Sequence, residues 1–251
     1  MLKKRLIPVL ILRDGQVVQS SHFTHTNVIH WNPMTAVVFF NKWAVDEIIL
    51  LDVSRQRASR AKFYQALDAL SKKCFVPLTA GGWVTSTDEV RELLRHGADK
   101  VTVNTHGVRH PVFITECARM FGCQCVVVSI DVKRNAHGQR EVYIDRGTEP
   151  TGLEPVAWAQ EAERRGAGEL LLTSIDHEGS RTGYDLELLR DVTQAVRVPV
   201  IAFGGAFTWQ HLVEGLEAGA EAVAAANVFH FTEHSTKKAK EFLKLAGIDV
   251  R

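Results

Sequence analysis

Residues 45–54 read VDEIILLDVS, and residues 167–176 read AGELLLTSID. Each is an apolar run with a carboxylate near its start and a polar residue at its end, and the second reads as a copy of the first. A second pair strengthens the match: GGWVTSTDEVRELLRHGADKV (81–101) falls roughly on GGAFTWQHLVEGLEAGAEAV (204–223), with the glycines one residue further apart, as a small loop indel would produce. A repeat of this length means a duplicated structural unit. Within each copy short apolar runs alternate with amphipathic stretches: RLIPVLIL, EIILLDV, FVPLTAGG and DKVTVNT, then CQCVVVSID, GELLLTSID, VPVIAFGG and EAVAAAN. Strands this uniformly apolar belong to a parallel sheet covered on both faces. Two sets of four predict an α/β fold, a (β/α)8 TIM barrel made of two fused half-barrels, about 1–122 and 123–251, with residues 1–251 forming one domain. An open doubly wound sheet is the competing architecture.

Composition agrees. The chain has 251 residues, 45% of them hydrophobic, which suits one barrel core. Thirty basic and 29 acidic residues leave a formal charge of +1, so no overall field draws the chain to nucleic acid or to a membrane. The start, MLKKRLIPVLILRDG, has too short an apolar run and no small-residue cleavage pattern, so it reads as a first strand and a cytoplasmic location is expected. Cys74, Cys117, Cys123 and Cys125 lack a zinc spacing, Cys123 and Cys125 alternate along a predicted strand, and all four are expected as buried free thiols. His22, His25 and His30 cluster in a polar loop, SHFTHTNVIH, without a carboxylate or cysteine to complete a metal set. No metal or other cofactor is expected, since the glycine pairs also lack the dinucleotide fingerprint. After the fifth strand, REVYIDRG reads as a small hairpin at the barrel mouth.

Barrel sites form at the C-terminal ends of the strands. Two such ends are glycine pairs, Gly81 with Gly82 and Gly204 with Gly205; the following strands end in Asn104 and Thr105 or in Ala226 and Asn227. Glycine lets backbone amides approach an anion, and a helix N-terminus favours negative charge. The duplicated pairs therefore predict two opposed phosphate sites and a substrate phosphorylated at both ends; tight turning is the plainer reading. Strand parity aligns Arg5, Ile7, Val9 and Ile11, and likewise Glu47 with Ile49 and Leu51, Lys100 with Thr102 and Asn104, and Glu169 with Leu171 and Thr173. Two cations and two anions would then close the barrel floor, which by residue type alone reads as a structural plug. Six residues at about 3.3 Å each put Arg5 roughly 20 Å from Ile11. Laying IPVLILRDG (7–15) on VVVSIDVKR (126–134) sets Ile11 against Asp131, a hydrocarbon against a carboxylate.

These residues resemble the cyclase subunit of imidazole glycerol phosphate synthase, a histidine-biosynthesis barrel. The resemblance runs over nearly the whole chain, in KKRLIP, VDEIILLD, HGADKVTVNT, SIDVKR, RRGAGELLLTSID, GSRTGYD and VFHF. It implies a doubly phosphorylated ribonucleotide in the mouth, a glutaminase docked under the N-terminal face and ammonia rising through the barrel. Arg5, Glu47, Lys100 and Glu169 match the gate, so the resemblance turns the plug into a conduit. Asp99 matches a docking-face aspartate. Asp131 matches one of two proton-transferring carboxylates, and Glu178 stands where the family has an active-site aspartate. Thr173 and Gly179 join the glycine pairs, Asn104, Thr105, Ala226 and Asn227 as substrate contacts. The departures lie in the mouth: the second carboxylate falls on Ile11, a substrate lysine on Gln19, a loop glycine on Trp83 and a serine on Phe203.

This pattern resembles a side branch of cyclase-like proteins from bacterial surface-polysaccharide pathways, which work with a glutaminase and a sugar amidotransferase that makes an acetamidino group. The expectation is a cyclase-like synthase subunit that conducts ammonia and binds a phosphorylated small molecule. The alternatives are an authentic histidine-pathway cyclase and a non-catalytic scaffold or allosteric activator of a glutaminase.

Overall fold

A computed structural model describes residues 3–31, 45–229 and 235–251. Eight parallel strands form the barrel: β1 (Arg5–Arg13), β4 (Ile48–Asp52), β5 (Leu78–Gly81), β6 (Lys100–Val103), β7 (Val126–Arg134), β10 (Glu169–Ser174), β11 (Val200–Phe203) and β12 (Ala222–Ala225). They pair in that order, and β12 returns to β1, so the sheet closes and an open sheet is excluded. Two hairpins stand on it. β2 (Gln16–Ser21) and β3 (His25–His30) extend from β1, while β8 (Arg140–Ile144) and β9 (Glu149–Pro150) extend from β7. The REVYIDRG hairpin is present; the histidine-rich loop is itself a hairpin, with His25 and His30 on β3 and His22 in its turn.

Alternation along each strand builds two cores. Leu6, Leu10 and Leu12 of β1 face outward into the layer shared with the helices, and Ile7, Val9 and Ile11 face inward with Ile49, Val127, Leu171 and Ile201. The helices are held at their starts by their own sequence. Ser86 caps the helix Thr87–Arg95 by accepting from the Glu89 amide, and Thr208 does the same for Trp209–Glu217 through the His211 amide.

The pairing registers of the two halves match. Ile11 pairs with Leu51 as Asp131 pairs with Thr173, so Ile11 and Asp131 occupy the same place in the two half-barrels. Leu51 also pairs with Gly81, and Thr173 with Phe203. This corrects the alignment of the glycine pairs. Gly81 is the counterpart of Phe203, Gly82 of Gly204 and Trp83 of Gly205; no indel separates them. The cysteine expectation also changes. Residues Cys123–Cys125 form a 3-10 turn before β7, which leaves Cys123 exposed; Cys74, after the helix Arg60–Ser71, is half-buried, Cys117 and Cys125 are buried, and all four are free.

At the floor, Arg5 donates to Glu47 at 2.7 Å and to Glu169, and Lys100 lies 3.0 Å from both glutamates. The four make a closed alternating ring. Burial opposes ionisation of Glu47, but Arg5 and Lys100 outweigh it and hold its carboxyl below the ordinary range. Arg5 is 9% exposed and Glu169 5%, so an unmatched charge here has little water to solvate it. Arg5→Met leaves two buried glutamates to one lysine, and a loss of about 3–5 kcal/mol is expected in urea unfolding. Because Glu47 is shifted downward, the ring's contribution is present above about pH 4.5 and is lost as pH falls below that value. A wild-type unfolding curve that stays flat from pH 6 to pH 3 contradicts this.

Candidate active site at the barrel mouth

Asp131 ends the inward face of β7, one step above Ser129. Its carboxylate accepts from Asn104 Nδ2 at 2.8 Å and from Ser129 Oγ at 3.2 Å, with Thr173 adding a third bond. No cation faces it in this set. Burial pushes its pKa up to about 6, although the hydrogen bonds favour the charged form. Ile11, 4% exposed, holds the equivalent place on β1, and both line a cavity of about 690 Å³. That volume suits a small organic ligand.

The two glycine corners differ. Gly82 and Gly204 have φ of +100° and +95°, and a Cβ would lie 2.2 Å from the Asp52 carbonyl oxygen or 2.8 Å from that of Ser174. Close packing of strand ends is enough to require glycine at both. Gly82 opens on the large cavity, as do Asn104, Thr105 and Thr173; Gly81 lies on β5 against Thr102. On the other side Gly179, Gly204, Gly205 and Ala226 line a separate pocket of about 20 Å³, and Phe203 lines both spaces as a partition. Asn227 begins a short 3-10 turn beyond it. The helix N-termini are also engaged by their own chain. Glu89 accepts from the Thr85 amide at 2.6 Å, and His211, its counterpart, accepts from the Phe207 amide at 3.3 Å.

Trp83 is the sharpest departure from symmetry. It sits at φ +57° where its counterpart Gly205 has +95°, a region that disfavours an L residue by about 1–2 kcal/mol. Its Nε1 donates to the Ser54 carbonyl at 3.0 Å.

Glu178 does not line the large cavity with Asp131. It is 3% exposed and accepts from Ser20 Oγ and the Phe23 amide, both at 3.3 Å, which pins the β2–β3 hairpin to the loop after β10. Burial raises its pKa. Gly179 lets the hairpin come close, since a Cβ there would lie 2.8 Å from the Ser21 Cα. Gln19 pairs with Asn27 within the hairpin. Asp99 is far from this end: exposed before β6, it accepts from the Leu78 amide at 2.8 Å. Among the described residues no three His, Cys, Asp or Glu side chains gather to hold a metal, His22, His25 and His30 included.

Sequence reasoning missed Arg13, Arg55, His106 and Arg109, which line the large cavity. Each lies just past a predicted strand, and that position was the available signal. Burial and the neighbouring His110 lower the pKa of His106, whose ring lies 4.7 Å from that of His110.

A family model described as Histidine biosynthesis protein matches residues 5–235. The chain belongs to that family. Its match spans all eight barrel strands. No helix among the described residues is long and apolar enough to cross a membrane.

Two measurements probe the mouth of this histidine biosynthesis family member. A rise in the Asp131 pKa from 3.8 to about 6 is worth about 3 kcal/mol against the folded state at high pH. The sign follows from a raised folded-state value: the penalty is absent below about pH 4 and complete above pH 6. Relative to wild type, Asp131→Asn is therefore expected to gain about 3 kcal/mol in unfolding free energy between pH 4 and pH 8. A constant difference rejects the burial. At Glu178, Ala is expected to speed amide exchange over residues 18–26 at least tenfold, whereas Gln keeps an acceptor and leaves exchange near wild type.

Proposed function

We propose that this barrel is the ammonia-receiving synthase subunit of a glutamine-dependent amidotransferase and that it has given up two-carboxylate ring closure. The observation that carries the reading is Ile11 in the register place of Asp131, above an intact charged floor. A hydrocarbon cannot exchange a proton, so one arm of an acid–base pair is missing.

The floor supports the ammonia route. Lys100 is its least buried member, with a side chain 20% exposed, and when it swings aside Arg5 still bridges both glutamates. A lysine is suited to this, being a point charge on a flexible stem. Above the ring, Ile7, Val9, Ile49, Val127 and Leu171 line the shaft. An apolar shaft admits neutral ammonia and disfavours ammonium. The glutaminase would sit below, where Asp99 is exposed. Following the resemblance to the surface-polysaccharide branch, the acceptor is an N-acetyl sugar on a separate amidotransferase, whose amide oxygen is exchanged for nitrogen. A retained cyclase is the second reading, favoured by one observation: Asp131 is poised near neutrality, where a single group serves as both acid and base.

Turnover of the doubly phosphorylated ribonucleotide with saturating ammonium salts separates the two. Wild type is expected to form no imidazole product and Ile11→Asp a trace; robust wild-type turnover establishes the retained cyclase. With the glutaminase present, Lys100→Ala is expected to consume glutamine without product, and unchanged coupling removes the gate.

A further inference from the structure

The mouth is lopsided in a way that the duplicated fold does not require. One glycine corner leads only to a shallow pocket of about 20 Å³ that Phe203 helps to line, while the other opens on about 690 Å³. Two opposed phosphates do not fit such a pair of ends. The open end carries a residue of unusual placement. Trp83 takes a left-handed backbone where its counterpart is Gly205, is half-buried, and has its indole held by the Ser54 carbonyl. Such a side chain is a fixed aromatic wall. Arg55 follows Ser54 directly, is exposed and lines the same cavity.

Arg13, Arg55, Arg109 and Arg146 line the cavity against Asp52, Asp131 and Asp145, a balance that supports an anion beside that wall. Asp52 is paired with Arg60 at 3.3 Å, and Asp145 with Arg146 at 3.2 Å. Arg13 donates to the Thr26 hydroxyl at 2.6 Å and Arg109 is bound to Glu149 at 2.5 Å. Arg55, next in the chain to the residue that holds the indole, lines the same cavity with a guanidinium whose five donors suit a phosphoryl group.

We propose that Trp83 and Arg55 form a ligand subsite for a ring compound with a single phosphoryl group, the ring lying on the indole and the phosphoryl group on the guanidinium. Sugars and nucleosides share this chemistry, since both offer a ring face to an aromatic side chain. The inference rests on the proposed function only in taking the mouth as the acceptor end.

Calorimetric titration of the full chain with inorganic phosphate, ribose 5-phosphate and uridine monophosphate tests it, without glutamine, ammonia or a partner. One molecule per chain is expected, with at least one ring compound binding at least tenfold more tightly than phosphate. Trp83→Gly is expected to erase that preference, and Arg55→Ala to weaken all three probes. Glycine is at ease at φ +57° and Arg55 is exposed, so both variants should fold, while Trp83→Phe keeps an aromatic face and part of the preference. Preference for uridine monophosphate places the base on the indole, and equal binding of the two ring compounds places the sugar there. No binding, two molecules per chain, or a preference that survives Trp83→Gly overturns the subsite. If the subsite falls while Lys100→Ala still uncouples glutamine use, the proposed function stands.

Discussion

Four charged side chains across the narrow end of the barrel constrain everything above them. Glu47 and Glu169 are counterparts in the two half-barrels, since their strands share one register. The cations are not duplicated. The counterpart of Arg5 is Cys125 and that of Lys100 is Ala222, by the pairings that equate Ile11 with Asp131 and Lys100 with Ala222 through Thr79 and Ile201. A fully symmetric floor would hold four cations to two anions. Burying that surplus costs several kcal/mol per ion, so neutrality forces the halves to diverge. One arginine and one lysine remain, each touching both glutamates.

The same divergence runs up the strands. Lys100, Thr102 and Asn104 on the β6 side correspond to Ala222, Ala224 and Ala226 on the β12 side, a polar face against an alanine face. Asn104 reaches Asp131, whereas Ala226 reaches no carboxylate because its half offers Ile11. Donor and acceptor have been kept together in one half and removed together in the other. This is the pattern expected when an unsatisfied buried polar group is more costly than none. Phe203 then fills the space on the stripped side and Trp83 walls the side that stays open.

Much of this was legible in the sequence because strand parity is a strict rule. Alternation placed Ile7, Val9 and Ile11 inward and brought Arg5, Glu47, Lys100 and Glu169 to one level with no tertiary information. The glycine pairs were aligned one residue out because identical letters were matched, whereas backbone pairing matches positions; glycine at Gly82 and Gly204 answers to a neighbouring carbonyl. The SHFTHTNVIH stretch read as a loop because its polar faces hid a strand exposed on both sides. Cys123 and Cys125 followed strand alternation on paper, but the preceding Gly122, at φ +89°, turns the chain before β7 begins. Glu178 matches an active-site acid by position and lines the smaller pocket, and its carboxylate also holds the Ser20 hydroxyl and the Phe23 amide, contacts between distant segments that sequence does not display.

In the proposed function, floor and mouth are linked by the form in which nitrogen would travel. A charged ring at the entrance and a hydrocarbon shaft above it together favour a neutral molecule small enough to pass as one lysine moves. At the top that molecule would meet Asp131, whose burial pushes its pKa up to about 6, so that it is mostly ionised at pH 7 and gains its proton as pH falls through 6. Ile11 on the opposite side extends the apolar shaft to its exit, where a second carboxylate would end it. In the proposed arrangement the residue that replaces the carboxylate would belong to the conduit and not to a proton relay.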